Sequence, residues 1–250
     1  MILKPRQFRK PNLSHPLARG LVGYWLMNEG AGNKVFDLSG NGNTGSLVAD
    51  THFVPGKFGL ALDFDGKGDY VALSNTIPAQ AGTIVAWIKV DKEDNCSVAG
   101  IGGVSYSEAL LIYDSFDRFY IGDGDNTHVF WIYPDGTFNE WRQVVAVCDG
   151  INAYGYIDGV SLGAGQAFAN FTGIERLAGG YAYDFGGQID HAMIFSRALS
   201  ASEITQLYRE PFCTFDRDPI ELWSAATLGA GAPPVGMAGA MTTNTGYWGW

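Results

Sequence analysis

The sequence predicts an all-β protein: a sandwich of two packed antiparallel sheets with one short helix near the end of the domain and an extended arm at each terminus. Three observations carry the prediction. In Thr83-Ile-Val-Ala-Trp-Ile-Lys-Val90, the alternate sets Ile84, Ala86, Ile88, Val90 and Val85, Trp87 leave both faces largely apolar, as a central strand of a sandwich requires. Asp158-Gly159, a pair that tolerates positive φ, sits between Tyr156-Ile157 and Val160 and marks a tight hairpin. Only one segment carries a full set of helix signals.

Taken in order, residues 1–19 hold Pro5, Pro11 and Pro16 with little periodicity and read as an extended arm along a surface. Leu60, Leu62 and Phe64 share one face of a strand, Gly66-Lys67-Gly68 turns the chain, and Tyr70-Val-Ala-Leu73 begins a second strand. Strands follow at Thr83–Val90, Trp141–Val147, Ala153–Val160 and Gly187–Phe195. Ser200 then caps a helix with Glu203 reaching back, and Ile204, Leu207 and Tyr208 form its apolar side. Beyond Pro211 the chain turns Gly/Ala-rich and carries no charge from Trp223 to Trp250.

The segments Gly59–Val71, Thr83–Val90, Trp141–Val147, Ala153–Val160 and Gly187–Ile204, in that order, resemble the laminin-G-like or concanavalin A-like jelly roll. The resemblance covers residues 20–210. It implies a sandwich whose relatives bind sugars, proteins or calcium. The domain expectation is an extended basic arm (1–19), the jelly roll (20–210) and an assembly tail (211–250).

With 250 residues, 46% hydrophobic content and 34 glycines, the chain supports one large core plus extensions. Five of its 16 basic residues, Lys4, Arg6, Arg9, Lys10 and Arg19, lie in the first twenty positions, which hold no acid. The remainder carries 11 basic and 26 acidic residues, a net of −15. Such a body repels nucleic acid and anionic membranes and suits cations or basic partners. For the arm itself, a short solvated terminus is the more ordinary reading than a partner contact. Cys96, Cys148 and Cys213 allow at most one bridge. No apolar run follows the first positive charges, so no secretory signal is evident. The uncharged stretch 223–250 has only Leu228 and Val235 as bulky aliphatics and is broken by Pro233-Pro234, short of a membrane span.

Calcium is the candidate ion. Asp37-Leu-Ser-Gly-Asn41-Gly-Asn43 is a polar, glycine-broken loop of the oxygen-rich kind that hard cations use. The resemblance adds Asp190, which matches an acidic position able to meet that loop at a shared metal, although His191 stands where glutamate is common. Asp190 falls on the face of Ala192 and Ile194, where a carboxylate needs a partner. Side-chain hydrogen bonding within a turn accounts for Asp37 and Asn41 equally well, and the sequence leaves both uses open. For sugar stacking, the aromatic-rich stretch 105–138 offers Tyr106, Tyr113, Trp131 and Tyr133, with Asp114 to take hydroxyls. Tyr181 and Tyr183 form a second candidate rim. For any one of these rings, core filling is the stronger alternative. The Gly/Ala-rich tail reads equally as a disordered low-complexity terminus or as an assembly segment, for which Phe212, Phe215, Trp223, Tyr247, Trp248 and Trp250 are the candidate residues.

A hydrolase of this fold needs two carboxyl groups about 5 Å apart on one strand. Glu93-Asp94 is loop-like, Glu108 stands alone, and Asp114 and Asp117 face different ways. The four histidines, His191 among them, read as surface or strand residues. The expectation is therefore a non-catalytic structural or adhesive subunit of an exposed particle, such as a bacteriophage virion. It would be made in the cytoplasm and exposed on lysis. Its expected partners are copies of itself, other virion or surface proteins and a glycan. The alternative is a free-standing calcium-dependent carbohydrate-binding module; a glycoside hydrolase comes third.

Overall fold

The computed structural model describes residues 2–5, 9–78, 82–90, 101–102, 109–113, 118–122, 128–132, 139–168, 173–179 and 185–216. Between 101 and 132, side chains are described only at Ile121 and Trp131. In chain order the strands are β1 (Leu21–Trp25), β2 (Lys34–Val35), β3 (Gly45–Val48), β4 (His52–Pro55), β5 (Leu60–Asp65), β6 (Tyr70–Ile77), β7 (Gly82–Val90), β8 (Ile101–Gly102), β9 (Ala109–Tyr113), β10 (Arg118–Gly122), β11 (His128–Ile132), β12 (Arg142–Cys148), β13 (Asn152–Ile157), β14 (Val160–Ser161), β15 (Gln166–Ala167), β16 (Ile174–Leu177) and β17 (Gly186–Phe195). One α-helix, α1 (Ala201–Arg209), follows.

Two antiparallel sheets result, as the alternation predicts. One runs β14-β13-β12-β7-β17-β5-β4, with β1 added beside β17 and β15 beside β13. The other runs β11-β10-β9-β8-β16-β6-β3-β2. Phe64, Ile84, Ala86, Ile88, Val144, Ala146, Ile189, Ala192 and Ile194 of the first sheet meet Val35, Val71, Ile77, Ile174 and Leu177 of the second in one buried core. Each fully buried Val, Leu, Ile or Phe contributes about 1.5–3 kcal/mol relative to exposure.

The nine-stranded sheet also buries its other face. Val85, Val145, Val147, Met193 and Phe195 point outward into a second apolar layer with Leu17, Leu21, Tyr24, Leu199, Ile204, Leu207 and Phe215. This layer is why Thr83–Val90 is apolar on both faces. The helix forms as its sequence dictates: the Glu203 N–H donates to Ser200 Oγ, and Ser200 N–H donates to Glu203 Oε2 at 2.8 Å. Arg197 grips the same glutamate at 2.7 Å.

The described residues from 2 to 216 belong to one compact unit. The described arm is therefore not a solvated terminus: Lys4 N–H donates to the Phe58 carbonyl, and Asn12 N–H to that of Thr214. Among the described residues, no helix is long and apolar enough to cross a membrane.

Candidate functional site

The early polar loop is a turn tied to β1. Asp37 Oδ1 accepts the N–H groups of Tyr24 and Ser39, while Oδ2 accepts Asn43 N–H and Ser39 Oγ–H, all at 2.9–3.0 Å. Asn41 donates its amide to Ser39 Oγ and the Leu21 carbonyl. Asn43 donates to the Val22 carbonyl at 2.8 Å, and its Oδ1 accepts from Asn75. Asp37 bridges Trp25, which pairs with Ala192 of β17. The loop thus lies two strand spacings, roughly 10 Å, from β17. Its carboxylate oxygens are filled by donors, and Asp190 lies out of reach, so these residues do not fit a shared calcium. Among the described residues, no group of three or more His, Cys, Asp or Glu side chains is placed to hold a metal.

Asp190 serves the opposite purpose. The pairing of β17 with β7 shifts between Ile189 and His191, making Asp190 the extra residue of a bulge. Strand alternation would put it on the Ala192–Ile194 face; the bulge carries it instead toward the outer layer. There it is fully buried and meets the ammonium of Lys4 at 3.0 Å and His191 Nδ1 at 3.0 Å, and it accepts Phe58 N–H. Lys4 Nζ also donates to the carbonyls of Leu60 and Asp190. Gly56 leaves the carboxylate its room, since a Cβ there would lie 2.6 Å from Asp190 Oδ2. Burial lowers the Lys4 pKa to about 8 despite the pull of Asp190. For Asp190, burial works upward but is outweighed by His191, Lys4 and the Phe58 N–H, and the carboxyl stays below its usual range. Burial also holds His191 below the usual histidine value, against the pull of Asp190.

His191 is thus a buried strand residue, not a surface one. Gln143, Trp87 and His191 pair in one row across β12, β7 and β17, each at most 3% exposed. The Gln143 amide, Trp87 Nε1 and His191 Nε2 have no hydrogen-bond partner among the described residues. Aromatic rings roof the row. Tyr208 of α1 stacks on Trp87 at 5.7 Å, and Phe58 and Phe212 lean on His191 at 5.9 and 5.1 Å. The centre of this sheet's outer face is closed by the N-terminal arm, α1 and the Phe212–Phe215 segment.

The outer face of the eight-stranded sheet has no such cover among the described residues. Lys34, Ser46, Ala72 and Arg176 pair in one row across β2, β3, β6 and β16. All four are exposed or half-buried, as are Tyr70, Ser74 and Thr76 of the same face. Arg176 lies over Tyr70, its guanidinium carbon 4.3 Å from the ring centroid. Gly179 makes that stack possible, because a Cβ there would lie 2.7 Å from Tyr70 Cβ. Beside it, Thr76 Oγ1–H donates to Glu175 at 2.9 Å. An aromatic face, a planar cation, hydroxyls and one carboxylate therefore share an open surface, a set that serves stacking and hydroxyl recognition.

The remaining site expectations divide. Trp131 is 6% exposed within the core, and its indole N–H donates to the Ala164 carbonyl, so it is not a stacking surface. Phe215 packs on Tyr24 at 5.6 Å and Phe212 on His191 and Phe58, which removes both from the assembly set: they seal their own domain. Tyr113 is described only as backbone in β9. Tyr106, Asp114, Tyr133, Tyr181, Tyr183, Trp223, Tyr247, Trp248 and Trp250 lie outside the described residues. Sequence reasoning passed over Lys4, Tyr70 and Arg176. A signal for Arg176 was its place in Ile-Glu-Arg-Leu, a charge between two core residues a few positions before a glycine pair.

Among solved structures, the chain is similar to domain 4 of AbnA, a GH43 extracellular arabinanase from Geobacillus stearothermophilus, in complex with arabinotriose. The TM-score is 0.61 at 18% identity, over 75% of this chain and 98% of that one. It is similar to the binding domain of botulinum neurotoxin serotype D (TM-score 0.59, 16% identity, 77% of this chain and 51% of that one). It also resembles Trypanosoma rangeli sialidase in complex with sialic acid (TM-score 0.57, 18% identity, 79% and 34%). The chain thus spans about half of the toxin domain and a third of the sialidase, and these likenesses speak to the fold. No curated protein sequence matches the chain. A family model described as the concanavalin A-like lectin/glucanases superfamily matches residues 65–205, more than half of the sequence, and with the sandwich just described it makes the chain a member of that superfamily.

Proposed function

We propose that this domain is a non-catalytic glycan-recognition module that reads its ligand on the outer face of the eight-stranded sheet. One observation carries the reading: of the two outer faces, one is sealed by the chain's own arm, helix and Phe212–Phe215 segment, while the other displays Tyr70, Arg176, Ser74, Thr76 and Glu175. The solved structure of arabinanase domain 4 with arabinotriose supports it by analogy of fold. The non-catalytic part is supported by how the described carboxylates are engaged. Asp37 is held in a turn, Asp69 by two backbone N–H groups, Asp158 by Arg142, Asp190 by Lys4 and Glu203 by Arg197. The test is a glycan array with the full chain beside Tyr70→Ala: binding lost in the variant supports the reading, and no binding by the folded wild type overturns it.

The finer form of the proposal mounts this module on an exposed particle, such as a phage virion, through the tail. It is motivated by the uncharged run from Trp223 that ends in Tyr247, Trp248 and Trp250. Light scattering would then give a defined oligomer for the full chain and a monomer for residues 1–216; two monomers would leave a free-standing module.

A further inference from the structure

The charge of the open face runs against that of the chain. The protein carries a net −10, yet the row Lys34, Ser46, Ala72, Arg176 presents two cations and no acid. Neither cation pairs with a described carboxylate, whereas Lys4, Arg142, His191 and Arg197 each pair with acids elsewhere. The acid beside them, Glu175, accepts the Thr76 hydroxyl. The pairing of β16 with β6 shifts register between Ile174 and Arg176, where β6 runs from Ile77 to Ala72, and such irregularities re-aim side chains. Arg176 then rests on the Tyr70 ring, in the space that Gly179 provides.

A guanidinium held over a ring has already given up much of its rotamer freedom. It keeps its planar fork of donors for a partner, and the group whose geometry matches that fork is a carboxylate. Lys34 stands three strand spacings away, roughly 14 Å, so the two cations span a short oligosaccharide. A uniformly charged polymer fits less well, because two cations on an acidic body offer little to a backbone with a charge every few ångströms.

We infer that the glycan read on this face is acidic, a uronic- or sialic-acid oligosaccharide whose carboxylate Arg176 takes in bidentate fashion while Lys34 draws its far end. The inference rests on the glycan-recognition reading above. Ser74, Thr76 and Glu175 then serve the neutral hydroxyls along the same ligand.

The test is calorimetric titration of the full chain with a neutral-backbone oligosaccharide carrying one glucuronic acid, a sialylated trisaccharide, arabinotriose and a short single-stranded oligonucleotide. One acidic sugar should bind at least about ten-fold tighter than arabinotriose, and which one tells uronate from sialate. Its affinity should fall with added salt. Arg176→Gln should lose about ten-fold or more, Arg176→Lys should recover only part because it keeps the charge without the fork, and Lys34→Gln should lose less. Unchanged melting temperatures for the three variants make these losses local. If arabinotriose binds as well as the acidic sugars and Arg176→Gln changes nothing, the inference falls and glycan recognition stands. If no sugar binds, the glycan reading itself falls. Equal binding of the oligonucleotide would make the face a general polyanion surface and would also overturn the inference.

Discussion

The two outer faces of this sandwich are made of the same kind of strand and end in opposite states. On the nine-stranded sheet, Val85, Val145 and Met193 are roofed by α1, Leu17 and Phe215. On the eight-stranded sheet, Ser46, Ala72, Ser74, Thr76 and Arg176 on the outer face of β3, β6 and β16 are exposed or half-buried, with no such roof among the described residues. The difference teaches where the chain invests charge. Sealing a face from segments at both ends of the sequence requires something that fixes their place, and here a buried ion pair joins Lys4 to Asp190, 186 residues away. The open face leaves Lys34 exposed and Arg176 half-buried on Tyr70, neither paired with a described carboxylate.

The ion pair is the sharpest way to break the sealed face. Replacing Asp190 with Ala leaves an ammonium buried without a counter-charge and deprives His191 of its partner, which should cost about 3–5 kcal/mol in urea unfolding. Joint replacement of Lys4 by Met and Asp190 by Leu should recover most of that loss, because packed apolar groups of similar volume often match a buried pair. A cost below about 1 kcal/mol for Asp190→Ala would mean that the arm does not anchor the cover. The same substitution test on the open face, Tyr70→Ala, should alter binding far more than stability.

Acid is the next lever. His191 titrates in the folded protein below its ordinary 6.5, because burial disfavours the cation more than Asp190 favours it. The unfolded chain therefore binds more protons just below pH 6.5, and stability present in full above that pH must fall as acid is added. Phe58 and Phe212 pack on the ring, Trp87 lies beside it in the row, and Asp190 and Lys4 are the charged groups that face it. Lys4 acts in another window. With its pKa lowered to about 8 against 10.5 unfolded, stability rises with pH between those values. Urea midpoints of wild type and His191→Gln between pH 5 and 7 check the first: the variant should show a flatter slope. A parallel slope would assign the acid sensitivity elsewhere.

A smaller effect comes from the helix that forms part of the roof. Ser200→Ala removes the side chain that accepts the Glu203 N–H and should cost about 1 kcal/mol. Glu203 itself is pulled to about 2, chiefly by Arg197, so this corner should hold until strongly acidic pH. If Ser200→Ala leaves the melting temperature unchanged, the cover does not depend on the cap.

These features differ in how far the sequence discloses them. Thr83–Val90 was legible because its alternation is local and survives in the structure, and α1 because Ser200 and Glu203 lie three residues apart. Asp190 was not, since one inserted residue leaves the pattern Ile-Asp-His-Ala looking regular while it changes which way the carboxylate turns. Lys4 was hidden for a different reason. A lysine among prolines and arginines looks solvated, and only the fold brings Leu60 and Asp190 around it. Arg176 and Tyr70 are 106 positions apart and meet only through the pairing of β16 with β6. Short-range chemistry is written in the sequence, whereas partners across a sheet are not.

The smallest effect expected is none at all, and it separates turn chemistry from ion binding. The four donors on the Asp37 oxygens come from β1 and from the loop itself, so the loop is complete without a cation. A site that bound calcium only when folded would raise the melting temperature with the logarithm of its concentration. Millimolar calcium and excess chelator should therefore leave that temperature alike in the full chain, while Asp37→Asn weakens the turn by leaving N–H donors facing an amide that cannot accept them all. A calcium-dependent rise abolished by Asp37→Asn would instead place an ion at this loop, and the hydrogen bonds that hold Asp37 to Tyr24, Ser39 and Asn43 would have to open to admit it.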